Sequence, residues 1–135
     1  MKLLALDTEV TTWNKGNPFD QRNFLVCSSF CTGDEAGCVA GVEGIQDRIN
    51  QCDCVVLFNA KFDLHWFRKY GISFKGKRIL DGQVAEFILT HQRQRFPSLD
   101  GCAEKYLGEK KIDIIKEQYW SKGINTNEIP WEELS

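Results

Sequence analysis

Three carboxylates stand out by their positions. Asp7 and Glu9 close the apolar run Leu3-Leu4-Ala5-Leu6 with only Thr8 between them. Asp63 follows a second apolar run, Val55-Val56-Leu57-Phe58, after Asn59-Ala60-Lys61-Phe62. Residues two apart in a strand face the same side, so an Asp-x-Glu pair can aim both carboxylates into one site. Two strands ending together could add Asp63 to that site. Three such charges repel one another strongly unless divalent cations lie between them. Asp7, Glu9 and Asp63 are therefore candidate metal ligands. Taken singly they have plainer readings: Asp7 and Glu9 as the end of a strand and the cap of a turn, Asp63 as a first-turn acid favoured by the helix dipole.

The elements that must position these residues can be read from the pattern. Residues 2–6, 24–31 and 38–42 read as strands, with hairpin-turn chemistry at 32–37 (Thr-Gly-Asp-Glu-Ala-Gly). A polar loop from Thr11 to Gln21, rich in turn formers, joins the first two. Ile45 and Ile49 lie four apart and predict a short helix over 43–51. Residues 53–58 read as a strand whose apolar run, Cys54 to Phe58, is of the kind buried in mid-sheet. A helix then starts near Ala60, carries Phe62, Trp66 and Tyr70 on one stripe, and stops at Gly71. Those aromatics suit packing, although bases could stack on them. Residues 82–90 predict another helix, which Asp81 can cap, and Ser98 can cap a helix over 102–107. Residues 112–122 are partly helical in pattern, and Pro130 with its following acids reads as the start of a last helix. The order β-β-β-α-β-α, followed by helices, is that of a ribonuclease-H-like α/β fold with a mixed sheet. All 135 residues are expected to form one domain.

Composition narrows the class further. No stretch approaches the roughly 18 apolar residues of a membrane span, and the apolar start is too short for a signal peptide. The expectation is a soluble, cytoplasmic protein. Net charge is only −2, but it is unevenly spread: −4 over residues 1–60, +5 over 61–122 and −3 thereafter. An acidic half beside a basic half suits a metal site next to a phosphate-binding surface, in which Arg93, Arg95, Lys110 and Lys111 would flank a nucleic-acid strand. Chance distribution over solvated faces gives the same asymmetry. The six cysteines lack a Cys-x-x-Cys pair. Cys27 and Cys31 read as buried thiols on one strand face rather than zinc ligands.

In order along the chain, four segments resemble the DEDD superfamily of 3′–5′ exonucleases, and most of all the proofreading domain of phage-type family A DNA polymerases. Asp7-x-Glu9 resembles the first motif and Asn59-x-x-Phe62-Asp63 the second. Residues 79–89 and 98–108 resemble the two helices that follow in those domains. The resemblance implies a two-metal hydrolysis of the terminal phosphodiester of single-stranded DNA, with Mg²⁺ or Mn²⁺ as cofactor. Two such ions about 4 Å apart activate water and clamp the departing 3′ oxygen, and carboxylates suit them as hard ligands. By the same resemblance Asp7 bridges both ions, Glu9 holds the water-activating one, and Asp63 positions the second through water. Asn59 would contact the substrate backbone, the Val10 main chain the 3′ hydroxyl, and Trp13 and Phe62 the terminal bases.

The resemblance also implies a third motif, Tyr-x-x-x-Asp or a histidine variant. Tyr70, Tyr106 and Tyr119 are followed four residues on by Phe74, Lys110 and Gly123, and neither His65 nor His91 has an aspartate five residues later. The pattern places this motif just beyond Ser135. Three explanations stay open: a fragment of a polymerase, a split protein whose partner supplies the last helix, or a stand-alone module that binds DNA or a polymerase without cutting. An exoribonuclease is a further alternative, since contact with a 2′-hydroxyl leaves no mark in the sequence.

Overall fold

Strict alternation of buried and exposed residues runs through the whole of β1 (Leu3–Val10). Leu4, Leu6, Thr8 and Val10 face inward, while Ala5 and Asp7 are exposed and Glu9 is half-buried. The strand thus extends four residues past the expected end, and both carboxylates lie within it. The computed structural model describes residues 1–90 and 97–108. The helices expected over 112–122 and after Pro130, and the basic residues Arg93, Arg95, Lys110 and Lys111, lie outside these.

Strands β1, β2 (Leu25–Cys31) and β3 (Ala36–Ala40) form an antiparallel meander. A four-residue turn joins the last two, closed by the Thr32 N–H donating to Glu35 O at 2.7 Å. On the other side of β1 lie β4 (Cys54–Leu57) and β5 (Arg78–Asp81), each parallel to its neighbour. The sheet order is β3-β2-β1-β4-β5, so β1, which bears the carboxylates, is central.

Strand β5 was not expected. It is four residues long with no alternation, and only its long-range pairing with β4 defines it. Two helices differ at their starts. The first, α1, covers Ile45–Gln51 behind a left-handed Gly44. The last described, α4 (Leu99–Leu107), begins directly after Ser98, whose Oγ accepts from the Gly101 N–H at 2.9 Å.

Helices α1 and α2 (Ala60–Lys69) cover one face of the sheet. Ala60, Asp63, Trp66 and Phe67 recur at helical spacing on the buried side of α2. Leu4, Leu6, Val55 and Leu57 from the sheet meet Ile45, Ile49 and Phe67 in the main core. A second cluster joins Val10, Leu25 and Trp66, with Phe62 packed against it. Helices α3 (Gly82–Leu89) and α4 line a groove with the other face. The architecture is the expected ribonuclease-H-like α/β fold with a mixed sheet.

Candidate active site

Asp7 and Glu9 lie on the groove face of β1, paired across β2 with Ser29 and Cys27. The groove has a volume of about 770 Å³, and its far wall comes from α3 and α4. Both carboxylates line it, as the Asp-x-Glu spacing implies. Buried Cys27 has its thiol pushed well above the ordinary range, first by burial, then by Cys38 and the negative charges of Glu9 and Asp7. Cys27 therefore matches the buried thiol expected of it. Cys31 does not: it is exposed, because β2 ends there at the hairpin.

Asp63 reaches the same strand from the opposite face. It sits in the first turn of α2, 3% exposed, and its Oδ1 accepts from the Thr8 hydroxyl at 2.5 Å. Thr8, between the two groove carboxylates, points to the α2 side. Burial first, opposed by the Thr8 bond and reinforced by the charges of Asp7 and Glu9, together bring the Asp63 pKa up to about 7. Asp63 is therefore within electrostatic reach of Asp7 and Glu9, but it is not among the residues lining the groove.

Asn59 precedes α2 in a left-handed conformation (φ 63°) with an exposed side chain. Its backbone N–H donates to Asp81 Oδ1 at 3.0 Å, and that of Ala60 to Asp81 Oδ2 at 2.8 Å. The Gln83 N–H also donates to Asp81 Oδ1, at 2.9 Å. One carboxylate thus caps α3, as expected, and also holds the start of α2 through Asn59 and Ala60. The second role was invisible in sequence, because it depends on β4 and β5 ending side by side.

A bulge after Glu9 shifts the β1–β2 register and leads into a loop of unusual backbone. Asn14, Lys15 and Gly16 all have positive φ, at 49°, 57° and 77°. A Cβ on Gly16 would lie 3.1 Å from Val10 Cγ2 and 3.3 Å from Phe62 Cζ. Val10, Phe62 and the residues following Trp13 are thereby brought together. Within the expected aromatic stripe, Trp66 is fully buried and the Tyr70 hydroxyl accepts from the Leu25 N–H at 2.9 Å. Both pack; Phe62 is half-buried.

Glu86 was missed. It is 3% exposed, and it accepts from Lys105 Nζ at 2.8 Å and the Tyr106 hydroxyl at 2.7 Å. These bonds hold its carboxyl below the usual range and tie α4 to α3 on the groove wall. Only the odd placement of an acid among Val84, Phe87 and Ile88 could have drawn attention to it.

The donors are carboxylate oxygens, the kind that hard divalent ions take. Mg²⁺ commonly uses one or two carboxylates and completes its shell with water and substrate phosphate. The Asp7–Glu9 pair fits that use. Among the described residues no three His, Cys, Asp or Glu side chains gather closely enough to hold an ion by themselves. Also among these residues, no helix is long and apolar enough to cross a membrane.

Comparison with known proteins agrees with the motifs. The DNA polymerase DpoZ of Salmonella phage PMBT28 is 27% identical over 118 residues, which cover 85% of this chain and 19% of the polymerase. The chain thus spans about a fifth of the length of that relative. The solved apo form of a nuclease shares the fold, with a TM-score of 0.64 over 88% of this chain and 58% of its own, at 16% identity. A family described as 3′–5′ exonuclease matches residues 1–134. With Asp7, Glu9 and Asp63 held at one strand by that fold, the chain belongs to the 3′–5′ exonuclease family.

Proposed function

We propose that this domain removes nucleotides from the 3′ end of single-stranded DNA by metal-dependent hydrolysis of the terminal phosphodiester. The observation that carries this reading is the placement of Asp7 and Glu9 side by side on the groove face, with Asp63 fixed to the intervening Thr8. Asp7, Glu9 and Asp63 would hold Mg²⁺ or Mn²⁺, which when bound supplies charge relief at the phosphate and an acidified water. The chain's own residues do the positioning. Thr8 fixes Asp63 Oδ1. The Asp81 carboxylate, by binding the Asn59 main chain, presents the exposed Asn59 amide for the sugar-phosphate backbone. The Val10 main chain and Trp13 flank the terminal nucleotide, with Phe62 beneath the turn that follows.

The sequence contains no Tyr-x-x-x-Asp, so we propose low activity for this chain by itself. A polymerase domain or a separate chain would be the partner that raises it. The absence of a complete three-donor cluster among the described residues favours, as a second reading, a module that binds a 3′ end without cutting. Incubation with 5′-labelled single-stranded DNA and Mn²⁺ separates the two. A ladder of shortened products, absent from Asp7→Ala, is the expected result; binding without shortening establishes the module instead. A 5′-labelled RNA of the same sequence, run in parallel, tests the sugar.

A further inference from the structure

The residue that best explains the loop after β1 is Asn23, which the motifs do not include. It is 3% exposed and uses its whole amide. Its Nδ2 donates to Trp13 O at 2.5 Å and to Asn17 O at 3.0 Å, and its Oδ1 accepts from the Thr11 hydroxyl at 2.8 Å. Between Trp13 and Asn17 lie the three left-handed residues. For Lys15 that conformation is unfavourable, and for Asn14 less so, so the surroundings must impose it. A second pin is the Trp66 indole N–H, which donates to Gly16 O at 3.2 Å. Strain held this firmly, directly after the strand bearing Asp7 and Glu9, is a mark of a functional segment.

We propose that Asn23, with Trp66, holds residues 13–16 as a preformed seat for the 3′-terminal nucleotide, and so is a positioning residue for substrate. The proposal rests on the exonuclease reading for the identity of the ligand. Preformed, the seat costs little ordering entropy on binding. Released, the loop would present Trp13 in many orientations. Asn23→Asp is nearly isosteric and keeps the acceptor for Thr11, but it loses both donors to the loop.

The test is equilibrium binding of a 5′-fluorescein oligothymidylate to the full chain, read by anisotropy with Ca²⁺ in place of Mg²⁺, so that chemistry does not enter. Asn23→Asp is expected to weaken binding by about 10- to 100-fold and to open the Lys15–Gly16 bond to trypsin at temperatures where the fold persists. If it acts through the loop, Asn23→Asp combined with Trp13→Ala loses no more than the weaker-binding single variant. Multiplied losses would overturn the proposal, as would unchanged affinity beside a trypsin-sensitive Lys15. Should Asn23→Asp not fold, Trp66→Phe removes the second pin alone and must show the same two effects. Wild-type binding without cleavage in Mg²⁺ or Mn²⁺ would sink the nuclease reading and leave the seat to be judged on affinity. No binding by wild type would sink both.

Discussion

On the proposed reading, Asp63 is the residue at which stability and function would oppose each other. Its pKa is about 7 in the fold against an ordinary 3.8, so between those values the folded state holds a proton that the unfolded chain has released. Folding stability therefore falls as pH rises through that window, by up to roughly 1.4 kcal/mol per pH unit, and levels off above it. In the presence of a chelator the thermal midpoint is expected to drop between about pH 4 and pH 7. Asp63→Asn should flatten that profile and be more stable than wild type at the upper end, while trimming of DNA falls. A wild-type midpoint that holds steady across the range would refute the assignment. Added Mg²⁺ or Mn²⁺ should restore stability at high pH to wild type more than to Asp63→Asn, since only an ionised carboxylate gains from the cation.

At the scale of elements, the site depends on a few polar side chains that join separate pieces of chain. Asp81 is the central one, because it accepts backbone N–H groups from the starts of both α2 and α3. Asp81→Ala leaves those donors without their acceptor and should cost about 1–3 kcal/mol, beyond a simple lost cap. Urea unfolding would measure it, and a loss under about 0.5 kcal/mol would show that water replaces the carboxylate. Asp81→Asn keeps one acceptor oxygen and should cost less. The apolar core is a separate contribution. Phe67, fully buried against the sheet, should lose about 3–5 kcal/mol on truncation to Ala, without moving Asp7 or Glu9 relative to β1. The order of these two losses distinguishes a site held by packing from one held by its clamps.

Over the whole molecule, charge decides how a polyanion approaches. Residues 1–60, which include Asp7 and Glu9, are net negative and residues 61–122 net positive. Binding of single-stranded DNA should weaken with salt, the logarithmic slope being roughly −0.7 for each phosphate neutralised. Titration over a range of NaCl concentrations checks this. A flat dependence would mean that stacking on Trp13 and Phe62, not the basic half, supplies the affinity. Divalent ions should shift the curve upward by removing repulsion from the acidic groove, and less so in Asp7→Ala.

Much of this was legible in the residues themselves. Alternation in Leu3–Val10 placed Asp7 and Glu9 on one face, because side-chain direction in a strand is a local property. The capping roles of Ser98 and Asp81 are likewise local, set within a few residues. Of the expected α2 stripe of Phe62, Trp66 and Tyr70, only Trp66 lies on the buried face formed by Ala60, Asp63, Trp66 and Phe67. What only the tertiary structure decided is everything that needs two distant segments at once. Strand β5 exists through its pairing with β4, and Asp81 holds two helices because those strands end together. Thr8 and Asp63 meet 55 residues apart, on the face of β1 opposite the groove. Asn23 reads as an ordinary polar loop residue until the bulge after Glu9 folds residues 13–17 back over it. Periodicity reports which side a residue faces; only packing reports what it meets there.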